Sequence, residues 1–337
     1  MKKIFNLIAS FVLLAGFSAC NKDGSDKPGL PPAPVPTVNY KGLTFISSGN
    51  STVCLAKVGT PDEITLEYST DESLWNPYTL GEKISLADGT FLLFRAGEQK
   101  NLTFSKGSDS YYHFEISGPV TAQGNIMSLL DRDFSTPLST NAFFALFEGC
   151  TSLLSAPELP ATTMAQGCYF RMFAECTGLK SAPELPAEAL AYNCYGRMFQ
   201  GCSALTYVPD LPATKMESYC YNSMFTNCTS LKFAPELPAT RLDMGCYHCM
   251  FEGCTSLTSA PELPATELVS NCYEFMYKDC RNLRYIIGLF TTEPSEKTTK
   301  DWLSGVAASG TFIKSKKATW DVTGAHGIPE GWKIETW

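Results

Sequence analysis

The chain has 337 residues, of which 44% are hydrophobic and 18% are charged, enough apolar material for two or three ordinary domains. This composition excludes a disordered or fibrous protein. The formal charge is -8 with no long basic run, which excludes a nucleic-acid-binding protein because phosphate binding needs clustered Lys and Arg. The three histidines, His113, His248 and His326, are far apart in the sequence. A histidine-based metal or acid-base site would therefore need long-range convergence.

Residues 1–20 have the pattern of a lipoprotein signal peptide. Lys2 and Lys3 precede an apolar run, and the small residues before Cys20 suit signal peptidase II. An ordinary secretory signal is the alternative. Residues 21–26 resemble the Lys-plus-acid tag with which Bacteroides-type bacteria send lipoproteins to the outer leaflet. No later apolar stretch reaches the roughly 20 residues that span a bilayer, so we expect the lipid on Cys20 to be the only anchor, in the outer membrane and facing outward.

Residues 21–38 are rich in proline among small and polar residues, which predicts an extended tether. Polyproline II rises about 3.1 Å per residue, so this segment would hold the folded part roughly 50 Å from the lipid.

Residues 39–118 contain six short runs rich in β-branched and aromatic residues, separated by turn signals. The runs are 43–47, 52–57, 63–68, 83–86, 90–95 and 111–116. Ile64, Leu66 and Tyr68 alternate with polar residues, as in a half-buried strand. We therefore expect a small β-sandwich, immunoglobulin-like in type.

Two columns of cysteines recur every 26 residues in the second half of the chain. The first column is Cys150, Cys176, Cys202, Cys228, Cys254 and Cys280. The second column is Cys168, Cys194, Cys220, Cys246 and Cys272. Such regular spacing does not arise by chance and indicates a repeat architecture.

Apolar residues within each unit follow a spacing that predicts one amphipathic helix. They stand four, five, eight and nine positions after the apolar column Met164, Leu190, Met216, Leu242 and Leu268. The predicted helix N-caps are Thr162, Thr214, Thr240 and Thr266. The predicted left-handed C-caps are Gly149, Gly201, Asn227 and Gly253.

Between the predicted helices, a leucine begins a short extended segment in each unit. These residues are Leu153, Leu179, Leu205, Leu231, Leu257 and Leu283. Proline ends the first five segments, so only a strand of a few residues can form. One strand and one helix cannot bury an apolar face alone, whereas stacked units share a core. We therefore expect an α/β solenoid over 150–290, with 119–149 and 291–337 capping its two ends.

The whole chain is thus predicted to be an α+β multidomain protein, with a sandwich, a solenoid of 26-residue units and a small C-terminal cap. The repeat resembles the leucine-rich repeats of BspA-like bacterial surface proteins, whose units also read Ala/Met-Phe-x-x-Cys-x-x-Leu before an extended segment ending in Pro. The resemblance covers about 141–290 and is specific for this class of repeat. It implies surface location and adhesion, with no shared catalytic residues.

Thirteen cysteines follow Cys20, and an exported protein could pair them. Equivalent residues on adjacent coils would hold their Cβ atoms about 4.8 Å apart, wider than the roughly 3.8 Å of a disulfide. We therefore expect small buried thiols, with disulfides as the alternative. The spacing also lacks the short Cys-x-x-Cys element of zinc sites, and Cys246, His248 and Cys249 form a lone cluster. No metal or cofactor is expected.

Three further columns allow both a structural and a functional interpretation. Tyr169, Tyr195, Tyr221, Tyr247 and Tyr273 would hold sugar rings if exposed, but their spacing favours burial in the core. The acidic column is Glu158, Glu184, Asp210, Glu236 and Glu262, for which we expect a solvated position rather than a cation site.

The third column follows each strand leucine directly and varies from unit to unit. Its members are Leu154, Lys180, Thr206, Lys232, Thr258 and Arg284. Core positions recur and this one does not, so we expect it to face solvent on the strand side, where solenoids bind partners. Lys180, Thr206, Lys232, Thr258 and Arg284 are therefore the candidate ligand-binding residues. Solvated variation without any ligand is the alternative.

No sequence signature of an enzyme is present: neither a nucleophile elbow, a phosphate loop, a zinc-protease helix nor a dinucleotide fingerprint occurs. We expect a non-catalytic adhesion or ligand-binding module whose partner is a host or bacterial surface protein or a glycan. A polysaccharide-capture protein of an outer-membrane uptake system is the alternative, and a hydrolase site in the sandwich or cap is a further one.

The lipid anchor yields the first prediction. Cys20→Ser should leave the protein without acyl chains, because no other attachment is expected, and the chain should disappear from the outer-membrane fraction. Membrane fractionation with external protease treatment measures this loss. A Cys20→Ser protein that stays membrane-bound and protease-accessible would contradict the lipoprotein assignment.

Overall fold

The computed structural model of the protein describes residues 41–99 and 102–337. The predicted signal peptide, Cys20 and the proline-rich tether lie outside the described residues.

The first part of the described chain consists of short strands joined by turns. The nine strands are β1 (Leu43–Ser47), β2 (Ser51–Val58), β3 (Leu66–Ser69), β4 (Asn76–Pro77), β5 (Ile84–Leu86), β6 (Phe91–Ala96), β7 (Ser105–Gly107), β8 (Ser110–Ser117) and β9 (Val120–Gln123). A 3-10 turn, Ile126–Leu129, follows them. All six strands predicted from the sequence are confirmed within a few residues.

These strands form two antiparallel sheets that pack face to face. The strands β9, β1, β6, β3 and β4 lie side by side in one sheet, and β5, β2, β8 and β7 form the other. Phe45 of β1 meets Phe114 of β8 across the interface with ring centroids 5.0 Å apart. Both rings are fully buried, so aromatic packing holds the two sheets together.

The first sheet continues directly into the repeats. Strand β10 (Leu153–Ser155) is the extended segment of the first repeat and pairs in parallel with β9. The described residues belong to one compact unit with a shared hydrophobic core.

Each repeat contains a ribbon of overlapping turns rather than a helix. Within one ribbon, the N–H of Phe170 donates to the carbonyl of Gly167 three residues back, whereas the N–H of Arg171 donates to Gly196 in the next coil. Gly167, Arg171 and Glu175 have φ of 58°, 57° and 59°, so the backbone returns to the left-handed region at every fourth residue. The alternation recurs in every repeat, and N–H groups that point to the next coil cannot form an α-helical ladder.

The predicted helix is therefore wrong, and Thr162, Thr214, Thr240 and Thr266 cap no helix. The only α-helix of the described residues is α1 (Glu296–Thr299), near the C-terminus. The apolar spacing resembles that of a helix because the ribbon repeats every four residues. A helix of 3.6 residues per turn drifts from a four-residue period by only about 80° over eight residues, so the two patterns are similar. The left-handed backbone expected at Gly149, Gly201, Asn227 and Gly253 is confirmed, with φ between 62° and 74°.

The extended segments after the ribbons are shorter than ordinary strands. In the middle repeats they pair through single parallel bridges, such as Ser181 with Tyr207 and Phe233 with Ser259. A regular sheet forms again at the C-terminal end from β11 (Glu262–Leu263), β12 (Tyr285–Gly288), β13 (Thr311–Lys314) and β14 (Lys333–Thr336), all parallel.

Two ladders of stacked aromatic rings form the core of the solenoid. The first ladder contains Phe147, Phe173, Phe199, Phe225, Phe251 and Tyr277 at 5.3–5.7 Å. The second contains the predicted tyrosines, each at most 2% exposed and stacked at 5.7–6.0 Å. Their burial confirms the core interpretation and removes these rings from contact with any ligand.

The cysteine columns are buried, as predicted. All thirteen cysteines of the described residues carry free thiols. Each thiol of the first column donates a hydrogen bond to a phenylalanine carbonyl; Cys150 donates to Phe114 of β8, and the other five thiols donate to the preceding coil. Cys176 Sγ, for example, lies 3.0 Å from the carbonyl oxygen of Phe147. The sulfur therefore fills a small apolar site and also links adjacent coils.

Aromatic side chains cover the N-terminal end of the first ladder and the C-terminal end of the second. At the N-terminal end, Phe114 of β8 stacks on Phe147 at 5.2 Å. At the C-terminal end, Trp302 stacks on Tyr273 at 6.1 Å, and its Nε1 donates to the carbonyl of Gly327. No end ring of either ladder is left facing water, which meets the capping need of a repeat protein.

The ribbon requires positive φ, which gives a second prediction. Gly149 has φ of 74° and no atom within 4 Å of the position of an added Cβ, so substitutions there test backbone conformation alone. Gly149→Val should lower the free energy of unfolding by about 2 kcal/mol, because a branched side chain disfavours this region. Gly149→Asn should cost roughly half as much, because Asn tolerates it. Urea unfolding measures both, and equal losses would contradict the explanation.

The buried thiols predict a loss of stability at alkaline pH. Burial raises the pKa of Cys168 and Cys254 from 9.0 to about 12. The folded state therefore keeps these protons longer than the unfolded state, so the stabilisation is complete below pH 9 and is lost as pH rises towards 12. At pH 10.5 each such thiol should cost about 2 kcal/mol.

Urea unfolding in reductant at pH 7.5 and pH 10.5 checks this, with Cys254→Ala as the matched control. The control protein should lose less stability between the two pH values than the wild type. An equal loss would show that the Cys254 thiol does not contribute.

Candidate functional site

The variable column lies on the outside of the extended segments. We call the five candidate residues of this column, each with the residue that follows it, the strand face. Its members are Lys180, Ser181, Thr206, Tyr207, Lys232, Phe233, Thr258, Ser259, Arg284 and Tyr285. The five candidate residues Lys180, Thr206, Lys232, Thr258 and Arg284 are all exposed, as predicted.

The leucines one residue earlier fix this orientation. Leu179, Leu205 and Leu231 are fully buried, and successive side chains of an extended chain point in opposite directions. The backbone is held by bonds between coils, since the N–H of Thr206 donates to the carbonyl of Lys180 at 3.0 Å. The side chains of the column therefore project from a hydrogen-bonded frame.

Three cations stand on alternate coils of the strand face. Lys180, Lys232 and Arg284 have no ion-pair partner among the residues that the structure describes. Ring stacking sets the coil spacing at 5.3–6.0 Å, so neighbouring cations are two spacings, about 11 Å, apart along the solenoid. An extended anionic chain can contact all three without displacing an existing carboxylate.

Aromatic residues beside the cations were not predicted from the sequence. Phe233 is 46% exposed, and Tyr207 and Tyr285 are half-buried. Their column holds serine in the other repeats, and the presence of aromatic residues in an otherwise polar column was the available signal. Each ring follows a residue of the candidate column directly, so apolar and cationic contacts lie within one surface.

The acidic column borders the same surface. Glu158, Glu184, Asp210 and Glu236 are exposed and Glu262 is half-buried, so the solvated position expected for the column is confirmed. Burial raises the pKa of the Tyr207 hydroxyl, and the carboxylates of Glu184 and Asp210 raise it further. The cationic and aromatic strand face is therefore bordered by a column of carboxylates.

The turn ribbons present a second outer surface, on which the side chain of His248 contacts several polar groups. Its Nδ1 lies 3.1 Å from Asn222 Oδ1, and its Nε2 lies 3.8 Å from Cys249 Sγ and 3.7 Å from Glu274 Oε2. Burial lowers the pKa of His248 and raises that of Cys249 to about 12. Burial thus disfavours the thiolate form of Cys249, which is the reactive form of a cysteine.

The same cluster does not assemble a zinc site. Cys246 points into the core with no exposed surface, whereas His248 lies on the outside. Within 41–99 and 102–337, no group of three or more Cys, His, Asp and Glu side chains is placed to hold a metal ion. No helix in these ranges has both the length and the apolarity to cross a bilayer.

No protein-family model, curated protein or solved structure matches this chain. Function is therefore inferred from the chain's own residues.

Proposed function

We propose that this protein is a cell-surface lipoprotein that acts as a non-catalytic adhesion or ligand-binding module through its solenoid. The observation that carries the proposal is the row of three exposed cations on alternate coils, with Phe233 exposed beside Lys232. These cations have no ion-pair partner within 41–99 and 102–337. Repetition holds the core columns constant and leaves this outer column to vary, as in solenoids that bind partners along one face.

The remaining parts of the proposal rest on the sequence. The lipoprotein signal, the proline-rich tether and the resemblance to BspA-like leucine-rich repeats support attachment by Cys20 at the outer membrane, with the folded part presented outward. The sandwich is, in this proposal, of the immunoglobulin-like type. The partner is a host or bacterial surface protein or a glycan that carries anionic groups along an extended surface.

Polysaccharide capture for an outer-membrane uptake system is the second candidate function. The tyrosine ladder does not support it, because those rings are buried. Phe233, 46% exposed between the half-buried Tyr207 and the serine of the next coil, favours it instead, since aromatic surfaces stack on sugar rings. The two functions differ in their dependence on Phe233 and on the cations.

The test is a glycan and host-protein array probed with the protein and a triple variant. Lys180→Glu, Lys232→Glu and Arg284→Glu together should abolish binding, because each exposed contact is worth about 1 kcal/mol or less and all three are reversed. The thermal unfolding temperature should stay nearly constant.

A matched control carries the same charge change elsewhere, at the exposed Lys57, Lys83 and Lys317, and should bind normally. Binding that survives in the strand-face variant would remove this surface from consideration. Loss of glycan binding in Phe233→Ala, with the cations dispensable, would favour polysaccharide capture.

A further inference from the structure

The parallel sheet at the C-terminal end finishes on an open edge. β14 pairs with β13 on one side only, and no strand of the described residues lies on its other side. The N–H groups of Lys333 and Trp337 donate to Gly310 and Lys314 on the β13 side. Backbone groups alternate in direction along a strand, so those of Ile334 and Thr336 point to the open edge.

Other sheet ends in the described residues are too short or irregular to accept a strand. β4 has two residues and contains Pro77, which lacks a donor. β7 has three residues and a register shift against β8. β5 also has three residues, and β11 has two. β10 has three residues and a register shift against β9. β14 is therefore the edge best suited to pairing with another chain.

The side chains of β14 are complementary to a second copy of themselves. In an antiparallel pair centred on Ile334, Lys333 of each copy lies opposite Glu335 of the other, and the two Ile334 side chains meet. Lys333 and Glu335 already share one face of the strand, where their side chains form an ion pair at 2.6 Å. A lone edge lysine repels a second copy, whereas this Lys-Ile-Glu order attracts one.

Apolar exposure adds to the charge pattern. Ile334 is 39% exposed and Trp337 is 49% exposed, two of the few large hydrophobic side chains with so much surface in water. Trp337 directly follows β14 and lies on the same side of the strand as Lys333 and Glu335. Pairing would therefore cover apolar surface on both faces of the strand.

We propose that two copies of this chain associate through β14 in a two-fold antiparallel pair centred on Ile334, which joins their C-terminal sheets. Because the other end of each solenoid is covered by the sandwich, the contact closes at two copies and does not propagate into a fibre. The dimer presents two strand faces at once, so it would strengthen binding to a ligand that reaches both. It does not depend on the proposed ligand-binding function.

The test uses the chain from Asn21 onward, which lacks only the predicted signal peptide and the lipidation cysteine. Sedimentation velocity over a concentration series should show a monomer–dimer equilibrium for the wild type. Lys333→Glu alone and Glu335→Lys alone should each weaken the dimer about tenfold or more, because like charges then face each other twice. Lys317→Glu, with the same charge change on a nearby exposed residue, should leave the dimer intact.

An equimolar mixture of the two single variants is the decisive sample. Each protein in it still lacks the Lys333–Glu335 ion pair within its own strand, but opposite charges face each other across the proposed interface, so heterodimers should form. Ile334→Pro removes an N–H that faces the open edge and should give a monomer with an unchanged unfolding temperature. A monomeric wild type, a mixture that does not dimerise, or a dimeric Ile334→Pro protein would each overturn the proposal.

Discussion

Every second backbone N–H of a turn ribbon bonds to the next coil, and the architecture of the solenoid depends on that division of hydrogen bonds. A helix satisfies its donors internally and can tilt or slide against its neighbours. The ribbon cannot, because its remaining donors find acceptors only when the next ribbon lies directly in register. Each coil therefore repeats the backbone of the one before it, and equivalent side chains form straight columns. The cysteines recur every 26 residues because each coil must match the backbone of its neighbour.

Register between coils also determines which residue types the columns accept. Phe199 and Phe225 stack at 5.7 Å with planes 2° from parallel, which requires identical backbone positions in successive coils. Cysteine suits the adjacent site because its thiol is small and apolar enough to be buried, yet donates to the carbonyl of the preceding coil. Exposed positions need neither stack with the next coil nor fit a small buried site. Variation is therefore concentrated on the outer surfaces, where a ligand can use it.

The sandwich and the C-terminal segment solve the problem that every stack of coils has two ends. Phe114 of β8 covers the first ladder at the N-terminal end, and Trp302 covers the second ladder at the C-terminal end. At the N-terminal end the backbone is matched as well, since β9 pairs with the first solenoid strand. At the C-terminal end the last ladder ring is covered, whereas β14 has no neighbouring strand on its outer side among the residues that the structure describes. At the C-terminal end of the solenoid, Trp302 thus completes the aromatic core, but the outer backbone groups of β14 are left without a neighbouring strand of the described residues.

The amino-acid pattern was enough to predict the repeat, the burial of Cys168 and Tyr169, the exposure of Lys180 and the strands of the sandwich, because each depends on polarity at a regular spacing. It did not determine the local conformation of the ribbon. Gly167, Asn193 and Gly245, directly before the second-column cysteines, are a signal of left-handed backbone that the helix prediction passed over. The choice between helix and ribbon was made by tertiary structure, because the acceptors for alternate N–H groups belong to the neighbouring coil. Tertiary structure also decides the pairing of β9 with β10 and the open edge of β14. Both depend on which chain segment lies beside the strand, and this cannot be predicted from the local pattern of polar and apolar residues.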